Sequence, residues 1–260
     1  MEAKENRNYR DSVFKMLFND VALIPELYRD ITRHEVKDKS SAKIITLSDT
    51  LYKNRINDLG FTIDDKLLVL VEQQSTYNPN MPLRMLLYVA REYESLLDNK
   101  SIYRSTLQQI PTPEFYVLYF GRPEDPCLAE MKLSDAYKVP DRGQNYYLEL
   151  KVKQFNLNSS EFVNRLSPNS TLYQYIYATN KLASAETKEK RQEYLESLIQ
   201  EDVLREFFTA HSKEVINVLN FAFDKDTFGK VKKEEGHAEG LAKGELIGED
   251  RAKRSLLLIC

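Results

Sequence analysis

Apolar residues in the first half of the chain follow two different patterns, one typical of β-strands and the next typical of an α-helix. In residues 55–74, RINDLGFTIDDKLLVLVEQQ, two runs typical of strands are separated by Asp64 and Asp65, residue types that favour tight turns through local hydrogen bonds. In residues 81–97, MPLRMLLYVAREYESLL, apolar positions recur as on one face of a helix, and Pro82 lies in the first turn, where a missing N–H is tolerated. The pattern predicts a β-hairpin followed by an amphipathic helix.

The other elements of the first 156 residues follow from the same two periods. Residues 11–32 have a helical period with Asp11 or Ser12 as N-cap, and Pro25 is expected to kink this helix or split it in two. Alternation of apolar and polar residues predicts that the last strand of this region is an outer strand. The remaining predicted segments are strands at 42–51, 114–120 and 145–155, and a loop at 121–143.

Strand patterns end near residue 156, and helical patterns follow. We therefore predict an α/β domain at 1–156 and a helical segment at 157–228, in which Tyr173, Tyr175 and Tyr177 are expected to pack between helices rather than stack on bases. The tail at 229–260 has glycine at every fourth position from Gly236 to Gly248. Such a stripe permits close helix approach, so the tail is expected either to self-associate, as a dimer, or to fray.

Composition narrows the class of protein. The chain has 42% apolar and 30% charged residues, ordinary values for a soluble globular protein, and no apolar run long enough to span a membrane. Cys127 and Cys260 are far apart, which excludes a disulfide framework and a zinc knuckle and favours a reduced, cytoplasmic location. A net charge of −3 provides no global attraction for nucleic acid, so such binding would need a local patch.

The strand LLVLVEQQ turns polar without a turn residue, and this is the candidate site. With the hairpin turn centred on Asp65, Asp58 faces Glu72, and both share one side of the sheet with Gln74. Their Cβ atoms would be about 4.5–5.5 Å apart, where like charges repel and a divalent cation would compensate. The alternative is that Glu72 and Gln74 mark the solvent end of the strand, with Asp58 in an exposed turn.

The order DSVFKMLF, INDLGF, LLVLVEQQ and LRMLLYVAREY resembles the recombination-promoting nuclease (Rpn) group of the PD-(D/E)XK nuclease superfamily. The resemblance covers most of the chain, since SKEVINVLNF and the glycine tail are also similar to the C-terminal half of that group. It implies a restriction-endonuclease-like α/β core, in which a helix, three strands, a helix and a further strand form a mixed sheet flanked by helices. A helical C-terminal segment follows this core.

The resemblance also implies a set of site residues. Asp58 and Glu72 would hold Mg²⁺, or another divalent cation such as Mn²⁺ or Ca²⁺, and the backbone carbonyl of Gln73 would complete the site. Gln74 falls where the wider superfamily has Lys, and Gln supplies hydrogen bonds without charge. The expected catalytic residues are thus Asp58, Glu72 and Gln74, while a slow, a tightly controlled and an inactive nuclease all remain open.

Two basic residues are candidates for substrate binding. Arg84, one turn into the helix after the site, has a fork that would clamp a phosphate, or it is a solvated residue paired with a carboxylate. Lys15 is four residues after Asp11, so an ion pair within the first helix is the alternative to a role beside the metal.

The function expected from these residues is metal-dependent endonuclease cleavage of DNA, linked by resemblance to recombination, mobile elements or phage defence. The alternative is an inactive protein of the nuclease fold that binds protein or nucleic acid through its helical half. Cleavage of RNA would use the same site.

Overall fold

The chain forms a six-stranded mixed β-sheet between two layers of helices. A computed structural model describes residues 7–45, 59–74, 77–97, 101–139 and 146–220, with the side chains of 7, 8, 66–74 and 101 left undescribed. The strand order is β1-β2-β3-β4-β6-β5, in which β3, β4 and β6 are parallel and the other pairs are antiparallel. The expected mixed α/β fold with a helical C-terminal part is confirmed.

The described helices and strands have the following bounds. The helices are α1 (Arg7–Phe18), α2 (Ile24–Thr32), α3 (Met81–Leu96), α4 (Ser160–Asn164), α5 (Thr171–Ala183), α6 (Lys188–Gln200) and α7 (205–220). The strands are β1 (Lys43–Ile45), β2 (Gly60–Ile63), β3 (Lys66–Gln74), β4 (Thr112–Tyr119), β5 (Leu128–Lys132) and β6 (Lys151–Asn156). The predicted tail at 229–260, with its expected self-association, lies outside the described residues.

Alternate residues of β4 divide the apolar interior into two clusters, one on each face of the sheet. Tyr116 and Leu118 belong to what we call the first core, and Phe115 and Val117 belong to the second core. The first core is covered by α1, α2 and α4–α7, and among its members are Phe14, Leu27, Phe162, Tyr175, Leu198 and Phe208. The second core is covered by α3 through Met81, Met85 and Val89.

The predicted helix at 11–32 is split in two, as Pro25 led us to expect. Pro25 occupies the first turn of α2, where its missing N–H costs nothing. The predicted N-cap at Asp11 or Ser12 is wrong, because α1 already begins at Arg7. The physical reason is Tyr9, which is fully buried and donates a hydrogen bond from its hydroxyl to the carbonyl of Thr179 at 2.6 Å. A tertiary contact therefore extends this helix.

The expected position of the last strand of the sheet is also wrong. β6 lies between β4 and β5, and the outer strand is β5, which falls within the predicted loop at 121–143. Apolar residues of β6 reach both cores, since Val152 belongs to the second and Phe155 to the first. β5 buries only Met131 among its five residues, a pattern typical of an edge strand that gives little periodic signal.

The turn between β2 and β3 shifts the register of the hairpin. Asp64 and Asp65 form a two-residue loop, both at positive φ (47° and 60°), as type I′ hairpins require. The turn is centred between these residues rather than on Asp65, so Phe61 pairs with Leu68 instead of Val69. The Asp64 carboxylate accepts backbone N–H bonds from Lys37 at 2.7 Å and from Asp38 at 2.9 Å, which stabilises this turn from outside the sheet.

Glu92 is a carboxylate buried on the inner side of α3. It is 6% exposed, and among the described residues its side chain has no hydrogen bond or ion pair, so burial raises its pKa. A carboxyl group whose pKa is raised by folding contributes stability to the folded state below its unfolded-state pKa. That contribution is lost as the pH rises through the folded-state pKa. Glu92→Gln should therefore raise the stability at pH 7 by on the order of 1 kcal/mol and have little effect near pH 3.5.

Urea denaturation of both chains at the two pH values measures this difference. Glu94→Gln, an exposed site on the same helix, is the matched control. Equal gains at both pH values, or a loss at pH 7, would contradict the prediction.

Candidate nuclease site

The candidate residues Glu72, Gln73 and Gln74 are the last three positions of β3. They are in register with Val117, Leu118 and Tyr119 of β4. Tyr119 is in turn in register with Asn156, the last residue of β6. The carboxyl ends of three parallel strands therefore meet at one edge of the sheet, the position where ligands bind in open α/β sheets.

A β-bulge in β3 determines which side of the sheet Glu72 occupies. Val69 pairs with Phe115 but Val71 pairs with Tyr116, so β3 has one extra residue, Leu70, at this point. The extra residue reverses the alternation, and Leu68 and Glu72 come to lie on opposite faces instead of the same one. Position 72 lies on the second-core face with Val117, the face that α3 covers.

The partner carboxylate of the prediction lies outside the described residues. The chain is described again from Leu59, which is 6% exposed and belongs to the first core. Asp58 immediately precedes it, and only the backbone is described for Glu72, Gln73 and Gln74. The pairing of Asp58 with Glu72 therefore stays a prediction.

Arg84 lies in the first turn of α3, beside the same edge and face of the sheet. It is half-buried, and its guanidinium donates to the hydroxyl of Tyr88 at 3.3 Å and contacts the sulfur of Met81 at 3.5 Å. Tyr88 is one turn further along the helix, so the ring and the guanidinium hold each other's position. This arrangement presents a cation near the end of β3, and contact with a phosphate stays a prediction.

Lys15 comes from the opposite helical layer. Its ammonium is 3.6 Å from the carboxylate of Asp11, the i,i+4 ion pair that the spacing predicts. α1 packs against the first core through Val13 and Phe14, whereas Glu72 is on the second-core face. A contact of Lys15 with substrate would therefore need a ligand that crosses the edge of the sheet.

Asn156 was not predicted as a site residue, yet it organises the carboxyl edge. It is 1% exposed, its side-chain oxygen accepts from the N–H groups of Gly121 and Asn158, and its amide donates to the carbonyls of Arg122 and Asp125. A Cβ on Gly121 would come within 2.3 Å of the Tyr119 ring, so glycine is required at this close approach. No periodic signal indicates such a residue.

A second chain of polar contacts joins the carboxyl edge of the sheet to the helices that cover the first core. Arg10 lies 4.1 Å from the centroid of the Phe120 ring and donates to the side-chain oxygen of Asn180 at 2.8 Å. Asn180 donates to Asn158, and Asn158 donates to the carbonyl of Gly121. The loop after β4 is thereby tied to α1 and α5.

Within the ranges that the structure describes, no three His, Cys, Asp or Glu side chains are grouped as metal ligands, and no helix combines the length and apolarity needed to cross a bilayer. No known protein family, curated protein or solved structure matches the chain.

Proposed function

We propose that this chain is a metal-dependent endonuclease that hydrolyses DNA. The observation that supports this proposal best is the bulge in β3, which brings the acidic position 72 to the carboxyl edge of three parallel strands, on the side of α3. Without the extra residue, Glu72 would lie on the first-core face. If Glu72 only marked the solvent end of the strand, the bulge in β3 would not be needed.

The order of elements also supports the proposal. The helices α1 and α2 are followed by three antiparallel strands, then by α3, and then by β4 parallel to β3. With α2 as an additional helix, this is the order of helix, three strands, helix and strand that the resemblance to PD-(D/E)XK nucleases implies. The proposed core of that type comprises α1, β1–β3, α3 and β4.

The second acid of the proposed site is Asp58. Leu59 belongs to the first core. Neighbouring side chains of an extended chain point to opposite faces, so we propose that Asp58 shares the face of Glu72. The proposed partner of Glu72 is therefore the same residue that the sequence suggested. This assignment is part of the proposal.

The proposed roles follow from the chemistry of each group. The oxygen donors of Asp58, Glu72 and the Gln73 carbonyl suit Mg²⁺, which supplies a water of lowered pKa and charge neutralisation when bound. Gln74 would donate a hydrogen bond to water or phosphate without changing the charge of the site. Arg84 would hold a phosphate oxygen through its guanidinium fork.

The proposal is tested by incubating the chain with supercoiled and single-stranded DNA, with Mg²⁺ and with EDTA. We expect cleavage only with the cation, and none by the double variant Asp58→Ala/Glu72→Ala. Cleavage that persists in the double variant would remove the proposed site. Absence of both cleavage and Mg²⁺ binding in the wild type would favour an inactive binding protein of the same fold.

A further inference from the structure

A pocket opens between α5 and α6, next to the end of β6. Its volume is about 490 Å³, within the range of pockets that bind small organic molecules. Leu157, which directly follows β6, lines it together with Val163 and Ile176. The pocket therefore has an apolar base, and it is separate from the second-core face where Glu72 lies.

Three tyrosines give this pocket aromatic walls. Tyr173 and Tyr177 are one helical turn apart on α5, and Tyr194 lies across from them on α6. The prediction that the tyrosines of α5 pack between helices is confirmed for Tyr175, which is fully buried, whereas Tyr177 is 44% exposed. In the part of the chain that the structure describes, the hydroxyls of Tyr173 and Tyr194 have no hydrogen-bond partner.

Two asparagines in the wall retain hydrogen-bonding capacity. Asn180 uses its oxygen for Arg10 and one N–H for Asn158, so its second N–H is left over. Asn158 accepts that bond and donates to Gly121, which leaves one lone pair on its oxygen. A donor and an acceptor beside aromatic walls suit a planar heterocycle that carries both on its edge, as nucleobases do.

The rim of the pocket is balanced in charge. The ammonium of Lys181 is 5.8 Å from the centroid of the Tyr177 ring and 2.7 Å from Glu201, and that of Lys190 is 5.3 Å from the Tyr194 ring and 2.9 Å from Glu193. Because each lysine already has a carboxylate partner, the pocket offers no net positive charge to a phosphate. Recognition would depend on the ring of the ligand.

The pocket and the proposed nuclease site share one edge of the sheet. Leu157 follows Asn156, which is in register through Tyr119 with Gln74. Adjacent strands are about 4.8 Å apart, so the backbones of positions 74 and 156 are separated by roughly 10 Å. A flexible strand that crosses this edge would reach both places.

We infer that this tyrosine pocket holds an unpaired base of a nucleic-acid substrate, so that the substrate class is single-stranded rather than duplex. The inference rests on the proposed function, since it names the substrate of that site. Stacking on aromatic side chains is the usual means by which proteins hold unpaired bases without reading their sequence.

The test measures fluorescence anisotropy of a labelled 12-nucleotide oligothymidylate in EDTA, where no cleavage occurs. Tyr194→Leu and Tyr177→Leu keep an apolar side chain without the ring, and each should weaken binding by about 5- to 100-fold. Tyr103→Leu, at an 86% exposed position outside the pocket, should bind as the wild type does. Thermal denaturation of each variant checks the fold, and Tyr177, which is 44% exposed, provides a second site if Tyr194→Leu is unstable.

An oligonucleotide of the same length with abasic sites distinguishes binding to the bases from binding to the phosphates. The wild type should bind it at least as weakly as Tyr194→Leu binds the thymidylate, and the wild type and Tyr194→Leu should have equal affinity for it. Equal affinity of the wild type for both oligonucleotides, unchanged affinity in both tyrosine variants, or no binding at all would overturn the inference. Tyrosine-dependent binding without cleavage in Mg²⁺ would instead overturn only the proposed function.

Discussion

Glu72→Gln is expected to lower DNA cleavage by at least about a hundredfold. Loss of a group that only orients a metal ligand already costs 10- to 100-fold in metal affinity or activity, so loss of a ligand's charge should cost more. The amide keeps the size of the side chain and its place at the end of β3. The effect should therefore be on cation binding and cleavage, with no change in the stability of the fold beyond a few tenths of a kcal/mol.

The measurement combines initial rates on single-stranded DNA with calorimetric titration of Mg²⁺. Asp58→Asn should reproduce the effect of Glu72→Gln, and the double substitution should add little to either, because both residues are proposed to bind one ion. Glu94→Gln, exposed on α3, is the matched control and should cleave at the wild-type rate. Wild-type rates in both Glu72→Gln and Asp58→Asn would exclude this pair from catalysis.

Tyr175→Ala is expected to cost about 3–5 kcal/mol of unfolding free energy, the range for removing a large buried aromatic ring. Tyr175 is fully buried in the first core, and its ring lies 5.4 Å from Phe14 of α1 and 6.1 Å from Phe120 after β4, measured between centroids. Its hydroxyl donates to the carbonyl of Arg10 at 3.0 Å. This residue of α5 thus bridges the helical segment to the α/β region.

Tyr175→Phe keeps the ring and removes only the hydroxyl, so its expected cost is about 1 kcal/mol. Urea denaturation of the two variants, followed by circular dichroism, measures the difference. Because one apolar cluster includes α1, β4 and α5, a single transition is expected for the wild type and both variants. Two separate transitions would show that the helical segment folds independently. Equal small losses in the two variants would contradict the expected contribution of the ring.

Local patterns were sufficient to predict the hairpin and its neighbouring helix. Apolar runs on both sides of the Asp64–Asp65 turn placed β2 and β3, and helical spacing placed α3 with Pro82 in its first turn. Pro25 separated α1 from α2 because its missing N–H is tolerated only where a helix begins. These features depend on interactions within a few residues, which is why the sequence alone indicates them.

The register could not be predicted in the same way. The residue types of Asp64 and Asp65 favour a turn, but they do not determine which pair of residues closes the loop. An error of one residue changes every cross-strand pair. The bulge at Leu70 has no local signal, because its cause is the pairing with β4, which is more than 40 residues further along the chain. Burial of β6 on both faces likewise depends on β5 and on distant helices.

Glu72 was indicated by its place at the end of an apolar strand and Asp58 by the expected hairpin register, whereas no pattern indicated the polar residues of the carboxyl edge. Asn156, Asn158 and Asn180 are ordinary residues in the sequence, and their importance comes from contacts with Gly121 and Arg10. The tyrosine spacing in α5 was visible, but its division between interior and pocket depends on where α6 packs.

The bulge at Leu70 also affects how distant homologues of this chain should be aligned. A homologue that builds the same sheet with a regular third strand needs one residue fewer between the hairpin turn and its acid. An alignment that allows no gaps within strands would then match that acid to Val71 and report the carboxylate as lost. Searches for homologues of this chain should therefore allow either spacing between the turn and the acid.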